Sequence, residues 1–502
     1  AHRKQVWQTQ KSQATLLSPS GHFLIHYDTT GTDAIPTYDR DADGTPDYLE
    51  FVAQSFDRAW QVEIDSLGFA PPPDSTGNPL STYPVFCRRL GGYGFTFFTD
   101  PLPGPPGVFR FTSHIEISTD FSFIPDELYQ HIATDSIVRD SMAIAVTAAH
   151  EFNHASQLGY QIWPAGGGEY EDLWFIENSA TYMEEVVADA VNDYYQYLDH
   201  FFGGTTLHLA FNNSLFRLYG EVVFNIMLGE LYGKTITREV WEEIVNQPAL
   251  GALDEVLLGK GSSLEQELQR LSVWMFFCDA NALPGRFFPE GAAYPLPAMT
   301  SGDPRTLTSQ FAAAYQGSLP PLAFAYLRLP LTSATDSVGI VLDAEKGPFT
   351  WRIARLAPGV PPDSAYPAGA IWSARLPAQQ SDLILSIFSG NWDVASRTNR
   401  SDYTVHLRSG GKPFGDKVFA GPNVVRPESE PVVRFFNLPP KARIEIFTGS
   451  GTHIATVQPD ASQNLATWNL RTHRGDEVAS GVYIYRVVSP TRTQSGKILV
   501  VR

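Results

Sequence analysis

The spacing of hydrophobic residues changes along the chain. Residues Phe23–Tyr27 have the composition of a β-strand. Apolar residues recur at helical intervals in five longer segments, over residues 46–67, 140–158, 173–190, 218–231 and 264–278. After Pro320 and Pro321 the apolar runs become short, are separated by Gly, Pro, Ser and Asp, and sustain no helical period. This change predicts an α+β region followed by all-β structure.

A chain of 502 residues is too long for one ordinary hydrophobic core, so we expect several domains. We assign residues 1–320 to an α+β domain and residues 321–412 to a β-sandwich accessory domain. Residues 410–413, rich in glycine, are the predicted linker to an Ig-like all-β domain over residues 416–502. In that last domain Ala442, Ile444 and Ile446 alternate with charged residues, as in a strand with one buried face.

Composition narrows the class of protein. Hydrophobic residues make up 43% of the chain and aromatic residues 13%, which argues against wholesale disorder. The net charge of -18 disfavours binding to nucleic acid or to an anionic membrane surface and favours hard cations such as calcium. No apolar stretch reaches the length of a membrane-spanning helix.

The termini and cysteines leave two questions open. Residues 1–5 have no apolar stretch behind them, so the chain is either a mature secreted protein without its signal peptide or a cytosolic one. Cys87 and Cys278 either form one disulfide or are two buried free thiols.

An acidic loop near the N-terminus has the pattern of a calcium-binding loop. Twelve residues, 39–50, follow the order D-x-D-x-D-G…E, with Gly44 at the sharp turn. The predicted oxygen ligands are Asp39, Asp41, Asp43, the carbonyl of Thr45, Asp47 and Glu50. The residues before the loop cannot form a regular incoming helix, so we expect a structural calcium module of the extracellular type, with a dissociation constant of roughly 10⁻⁴–10⁻³ M.

The segment 140–158 carries the sequence H-E-x-x-H at His150, Glu151 and His154. Two histidines four residues apart project from one face of a helix, one turn apart, so both imidazoles can reach one metal ion. Glu151 lies beside them, where its carboxylate can accept a proton from a water held by the metal. These residue types favour Zn²⁺.

A catalytic zinc site needs a third protein ligand. Glu177 lies on the next predicted helix, which can pack antiparallel to the first and bring its carboxylate to the histidines. Glu184 shares its helix face, seven residues on, and is a candidate hydrogen-bond acceptor for a ligand histidine, and so is Thr181.

These two helices resemble those of the gluzincin metallopeptidases. The similarity is closer to a group of bacterial secreted putative metalloproteases with the helix motif AHEFxHxxQ, matched by residues 149–157, and extends over most of residues 15–290. In the second motif, residues 174–184, Asn178 and Ser179 replace the usual small residue. The resemblance implies a zincin-like fold, zinc on His150, His154 and Glu177, and Glu151 as general base.

The resemblance also bears on the oxyanion that forms during hydrolysis. Gluzincins commonly use a downstream Tyr or His as an additional donor, and Tyr219 resembles the tyrosine of a Tyr-Gly motif in the group. Tyr219 is therefore the second predicted catalytic residue, and a buried tyrosine of the core is the alternative. His200 and His208 are weaker candidates, because an isolated histidine is usually structural.

The last 80 residues resemble a third group, the Ig-like domains of flagellar hook-capping proteins and the C-terminal sorting domains of bacterial secretion systems. The turn at Gly481 and the terminal strand Gly496–Val500 carry this similarity, which implies export through secretion machinery or cell-surface attachment. A simple spacer domain is the alternative.

Together these features predict a secreted or cell-surface zinc endopeptidase that acts on extracellular polypeptides. The alternative is a non-catalytic surface or adhesion protein with a structural metal site, which would not need Glu151. An aminopeptidase is a third option, although the chain shows no clear motif for capturing a substrate α-amine.

Overall fold

The computed structural model describes most of the chain outside its N-terminus and several loops. The described residues are 12–105, 107–129, 133, 135–166, 169–211, 214–299, 312–331, 337–343, 349–357, 360–368, 371–375, 381–390, 397–409, 418–421, 424–425, 427, 432–436, 438–439, 441–459, 466–490 and 493–502. The chain forms two compact units, one of Ala1–Ala298 with Asp393–Thr398 and one of Met299–Trp392 with Asn399–Arg502. The first mixes helices and strands, and the second is rich in β-structure.

The first unit contains a five-stranded mixed sheet. Its strands are β1 (Ala14–Leu17), β2 (Phe23–Tyr27), β3 (Tyr83–Arg88), β4 (Gly94–Pro101) and β5 (Phe111–Ser118), in the spatial order β1-β2-β3-β5-β4. β2, β3 and β5 are parallel, whereas β4 runs antiparallel to β5 and forms one edge. A small hairpin follows, of β6 (Pro164–Gly166) and β7 (Glu169–Tyr170).

The described residues of the same unit form ten α-helices. They are α1 (Asp47–Trp60), α2 (Asp126–Tyr129), α3 (Ser136–Gln157), α4 (Leu173–Ala188), α5 (Tyr195–Phe202), α6 (Leu215–Gly220), α7 (Val222–Tyr232), α8 (Ile236–Ile244), α9 (Ala249–Gly259) and α10 (Leu264–Phe276). A π-helical turn, Gln61–Ser66, continues α1. Each segment with helical periodicity contains an α-helix. α3 begins four residues earlier than expected because the side chain of Asp135 accepts a hydrogen bond from the Ile137 N–H at 2.9 Å and caps it.

The packing of α3 on the sheet fixes which of its residues face the functional site. Phe152 is fully buried among aromatic rings of the sheet and α1, with its ring centroid 5.2 Å from that of Phe23 and 5.6 Å from that of Trp60. Successive helical residues are rotated by about 100°. His150 and His154, each two residues from Phe152, therefore point away from this core, and Glu151 lies between the two directions. The hydrophobic effect thus sets the direction of the histidines.

One helix prediction was wrong in detail. The segment 218–231 was expected to be continuous, with Tyr219 at its start, but α6 ends at Gly220 and α7 begins at Val222, so Tyr219 lies at the end of a short helix. A Cβ at Gly220 would lie 2.4 Å from the Tyr197 carbonyl oxygen, so the absence of a side chain permits the close contact of α5 with α6. Arg217 and Glu221 form a buried ion pair across the break.

The described strands of the second unit form four sheets. The first eight strands are β8 (Ala312–Leu319), β9 (Ala323–Leu331), β10 (Ser337–Asp343), β11 (Phe349–Ala357), β12 (Val360–Ala368), β13 (Ile371–Arg375), β14 (Ser381–Ser389) and β15 (Ser401–Ser409). They form two four-stranded sheets, β13-β10-β15-β8 and β12-β11-β14-β9. β8 precedes the predicted domain boundary at residue 320, and the second compact unit begins at Met299.

The C-terminal strands form a three-stranded and a five-stranded sheet. They are β16 (Phe419–Gly421), β17 (Val424–Val425), β18 (Val433–Phe436), β19 (Arg443–Thr448), β20 (His453–Val457), β21 (Ala466–Trp468), β22 (Gly481–Val488) and β23 (Thr493–Val500). Their orders are β16-β18-β21 and β17-β23-β22-β19-β20. One core joins the two sheets, with the ring centroids of Phe435 and Tyr485 5.2 Å apart. The predicted linker, 410–413, lies outside the described residues.

Two further sequence questions have direct answers. Cys87 and Cys278 are both buried free thiols, so the disulfide alternative is not realised.

Among the described residues, no helix is both long and apolar enough to cross a membrane.

Candidate metal centre

The helices α3 and α4 pack antiparallel, and their contacts define a fixed register. His150 contacts Glu184, His154 contacts Glu177, and Gln157 contacts Ile176, so positions advance along α3 as they recede along α4. Glu177 and Glu184 lie seven residues apart and therefore share one face of α4. This register brings side chains from two helices to one point.

Three potential ligand atoms converge there. The Nε2 atoms of His150 and His154 are 3.0 Å apart, and Glu177 Oε2 lies 3.5 Å and 3.4 Å from them. The three side chains are partly buried, with exposed fractions of 12–14%. Their ligand atoms all lie within 4.8 Å of one another, a spacing that one metal ion can bridge.

The other nitrogen of each imidazole has its own hydrogen-bond partner. His150 Nδ1 is 2.7 Å from Glu184 Oε1, and His154 Nδ1 is 2.8 Å from Gln157 Oε1. Thr181, the other predicted acceptor, instead donates its hydroxyl to the Glu177 backbone oxygen at 2.9 Å. An amide oxygen and a carboxylate both accept, so each Nδ1 carries a hydrogen, and each imidazole in its neutral form then places its lone pair on Nε2, toward the shared point.

The electrostatics of this point favour positive charge. Burial alone would lower the pKa of His150, but its hydrogen bonds to Glu177 and Glu184 raise that pKa well above the usual value. Burial opposes ionisation of Glu177, yet the charges of His154 and His150 lower its pKa to about 2. Burial raises the pKa of Glu184 to about 7, against the pull of the imidazole. A divalent cation would satisfy the same carboxylate and lone pairs.

Glu151 lies between α3 and the edge strand β4. The Thr96 hydroxyl is 2.7 Å from Glu151 Oε2 and 2.8 Å from the Glu151 backbone oxygen, and it shares its one hydrogen between these two acceptors. A Cβ at Gly94 would lie 2.7 Å from Thr147 Cγ2 and 3.2 Å from Glu151 Cγ. Gly94 therefore allows β4 to run close alongside the Glu151 side chain.

Tyr219 packs against His150. Its ring centroid is 5.7 Å from that of His150, in an edge-to-face arrangement, and 4.9 Å from that of Tyr197. Burial, together with the charges of Glu177, Glu151 and Glu184, raises the pKa of Tyr219, so the phenol keeps its proton at neutral pH. The other candidates lie apart: the buried His208 accepts a hydrogen bond from the Ala210 N–H, and the ring of the exposed His200 packs against Phe216.

Asn178 and Ser179, both on α4, make contacts between helices. Asn178 is fully buried and accepts a hydrogen bond from the Asn225 amide of α7. The Ser179 hydroxyl accepts from Trp241 Nε1, at 3.0 Å, and from Gln157 Nε2, also at 3.0 Å. Both side chains thus form polar contacts between α4 and neighbouring helices.

The five carboxylates of the acidic loop form two overlapping clusters. Asp39, Asp41 and Asp43 form one cluster of oxygen atoms, and Asp41, Asp47 and Glu50 form a second that shares Asp41. Gly44 has a φ of +98°, as the sharp turn requires. Burial and the neighbouring aspartates raise the pKa of Glu50. The backbone N–H of Thr45 donates to Asp43 Oδ1 at 2.7 Å, and α1 leaves the loop at Asp47.

Several residues of the centre were not predicted as functional. The position of Gln157 could have been predicted from the sequence, since it follows His154 by three residues and so lies on the same helix face. No sequence pattern indicates the roles of Thr96, Gly94 and Tyr197. Each reaches the centre through contacts between segments that are distant in sequence.

The chain was compared with family models, curated proteins and solved structures. No family model and no curated protein matches the chain. A solved structure of PorZ, a surface component of the type-IX secretion system of Porphyromonas gingivalis, is similar over 20% of this chain and 14% of its own, at 25% identity and a TM-score of 0.16. PliG of Aeromonas hydrophila, a periplasmic inhibitor of g-type lysozyme, is similar over 21% of this chain and 95% of its own, at 19% identity and a TM-score of 0.15. Such limited similarity assigns neither a fold family nor a function.

Proposed function

We propose that this chain is a zinc-dependent endopeptidase with a zincin-like catalytic domain, secreted or displayed at the cell surface. One observation carries the proposal: the Nε2 atoms of His150 and His154 and the carboxylate of Glu177 converge, while Glu151 lies beside them on the same helix.

The donor set fits zinc better than a hard cation. Two imidazole nitrogens and one carboxylate are a usual zinc set, and three protein ligands leave a coordination position free for substrate or water. A purely structural zinc site uses four protein ligands, and it has no need of a carboxylate such as Glu151 beside the metal. The second possibility, a non-catalytic surface protein, is therefore less well supported.

The edge strand supports a polypeptide as the substrate. β4 has a neighbour on one side in the described sheet, so its outer backbone groups can pair with an extended peptide. Thr96 of this strand contacts Glu151, so a peptide paired with β4 would pass directly beside the proposed general base. This geometry favours cleavage within an extended chain.

The chain's own groups account for the chemistry around the metal. Zinc, when bound, acidifies water and polarises the peptide carbonyl. Glu151 accepts the proton of the attacking water and can pass it to the leaving amine, while Thr96 holds its carboxylate in place. The neutral phenol of Tyr219 donates a hydrogen bond to the developing oxyanion. Glu184 accepts a hydrogen bond from His150 Nδ1 and keeps that imidazole oriented.

The proposal also includes a calcium ion bound by residues 39–50 and a role of the C-terminal domain in export. The loop offers oxygen ligands alone, the donor type that calcium prefers, and it leads directly into α1, which packs against α3. Calcium would thus stabilise the first unit without taking part in catalysis. The C-terminal Ig-like domain is proposed to engage secretion machinery or to attach the protein to the cell surface.

Replacement of Glu151 by Gln tests the general base. We expect Glu151→Gln to lower kcat for a peptide or casein substrate by about 10²–10⁴-fold and to leave one bound zinc per chain, because Glu151 does not ligate the metal. Zinc content by elemental analysis and cleavage rates measure both effects. The matched control is Glu116→Gln, on β5, and equal cleavage by wild type and Glu151→Gln would exclude the proposed role.

Replacement of Tyr219 by Phe tests the oxyanion donor. Loss of the hydroxyl should lower kcat by about 10²–10³-fold with little change in KM, because the hydrogen bond strengthens in the transition state. Steady-state kinetics separate the two constants. Tyr160→Phe serves as the control, because it removes another buried phenol hydroxyl, one that accepts a hydrogen bond from the Ala70 N–H at 2.8 Å. An unchanged kcat in Tyr219→Phe would show that Tyr219 is a core residue.

The two faces of β4 give a test of peptide binding. Phe98 lies two residues beyond Thr96 on the side of α3, is 45% exposed and packs against Phe111, whereas Phe95 is 48% exposed on the opposite side. We expect Phe98→Ala to lower kcat/KM roughly 10-fold for peptides with a large apolar side chain near the cleaved bond. Phe95→Ala should have no such effect. Equal losses in both variants would contradict pairing of the substrate along this face.

Calcium should raise the melting temperature of the first unit. With the affinity expected for this loop, 10 mM Ca²⁺ contributes about 1.4–2.7 kcal/mol to the free energy of unfolding. Thermal unfolding with and without calcium measures the effect, which Asp43→Ala should abolish and Glu255→Gln, at an exposed site on α9, should not. Asp43→Ala that lowers activity without lowering the melting temperature would contradict a structural role.

A further inference from the structure

We infer that Gln157 is a positioning residue that sets the tautomer of His154 and locks α3 to α4 at the metal centre. The inference rests on the proposed zinc site, and the observation behind it is the complete set of hydrogen bonds around one buried amide.

The orientation of the Gln157 amide is determined by its neighbours. Gln157 is 1% exposed, and its Nε2 lies 3.1 Å from the Ile176 backbone oxygen and 3.0 Å from Ser179 Oγ. A backbone carbonyl can only accept, so the atom of the amide that faces it must be the nitrogen. Asn153 Oδ1, at 2.6 Å, is a further acceptor on the same side.

Ser179 cannot reverse this orientation. Its hydroxyl lies 2.6 Å from the Phe175 carbonyl oxygen, one turn back in α4, and donates its hydrogen there. The indole N–H of Trp241 donates to the same Ser179 oxygen. The hydroxyl therefore has a lone pair, and no hydrogen, left for Gln157.

The amide oxygen must then face His154. Gln157 Oε1 is 2.8 Å from His154 Nδ1, and an amide oxygen can only accept, so Nδ1 carries the hydrogen. The lone pair of the neutral imidazole is thereby placed on Nε2, which points to His150 and Glu177. Gln157 thus accepts a hydrogen bond from His154 Nδ1, as Glu184 does from His150 Nδ1, but it adds no negative charge.

The same side chain joins the two helices that carry the ligands. Its nitrogen bonds to α4 next to Glu177, and its oxygen bonds to a ligand of α3. An Asn would be one methylene shorter, and an apolar residue of similar size would fill the space without either bond. A Glu in its neutral form could keep an acceptor for His154 and one donor for α4.

The test compares three variants of the full chain. Gln157→Met removes the acceptor and the donor at nearly constant volume, and Gln157→Glu keeps the acceptor. Gln161→Met is the matched control, because Gln161 is 2% exposed and bonds the Phe109 N–H at 2.9 Å and the Gly107 oxygen at 3.0 Å, with no ligand histidine among these partners. Zinc affinity is measured by competition with a chelator, and ligand geometry by the visible spectrum of the cobalt(II)-substituted protein.

We expect Gln157→Met to weaken zinc binding roughly 10- to 100-fold and to shift the cobalt bands. Gln157→Glu should stay within a few fold of wild type, and Gln161→Met should bind zinc normally even if it melts earlier. Equal affinities of Gln157→Met and wild type would overturn the inference while leaving the zinc site intact, and so would equal losses in Gln157→Glu and Gln157→Met. A wild-type chain that binds no zinc would overturn both. If Gln157→Met fails to fold, a Gln157→Glu variant with zinc affinity lowered 10-fold or more would still reject the inference.

Discussion

The antiparallel register of α3 and α4 is the constraint on which the functional site depends. A shift of one residue along α4 would rotate Glu177 and Glu184 by about 100° away from the histidines, and the same shift along α3 would rotate the histidines away from both carboxylates. Two kinds of interaction hold the register. Apolar packing around Phe152 fixes the rotation of α3 on the sheet, and polar bonds between Gln157, Ser179 and Ile176 fix α4 against it.

The hydrogen bonds in this region are buried, so they favour one alignment of the helices over others. Leaving one buried donor or acceptor without its partner costs about 1–3 kcal/mol, whereas a satisfied bond contributes about 1 kcal/mol net. Asn153, whose amide also bonds to the buried carboxylate of Glu63 at 2.9 Å, and Asn178, which bonds to α7, extend the network beyond the two helices. Misaligned helices would break several of these bonds at once, so the network favours one arrangement of ligands over its neighbours.

The sequence predicted the local parts of this arrangement and missed the distant ones. The spacing of His150 and His154 follows from helix geometry alone, and the heptad from Glu177 to Glu184 places both carboxylates on one face. Thr96 contacts Glu151 across 55 residues of chain, a contact that no periodicity reports. The close contact between Gly220 and the Tyr197 carbonyl joins two helices, and periodicity does not report it either. β8 was missed because its run of alanines with a glycine has little strand preference.

X-ray absorption at the zinc edge, on the full chain loaded with one equivalent of zinc, tests the central claim most directly. The account predicts two imidazole nitrogens at about 2.0–2.1 Å, with multiple-scattering features of both rings, and carboxylate oxygen at about 2.0–2.2 Å. Sulfur at about 2.3 Å, from Cys87 or Cys278, or a shell of oxygen without imidazole scattering, would contradict it.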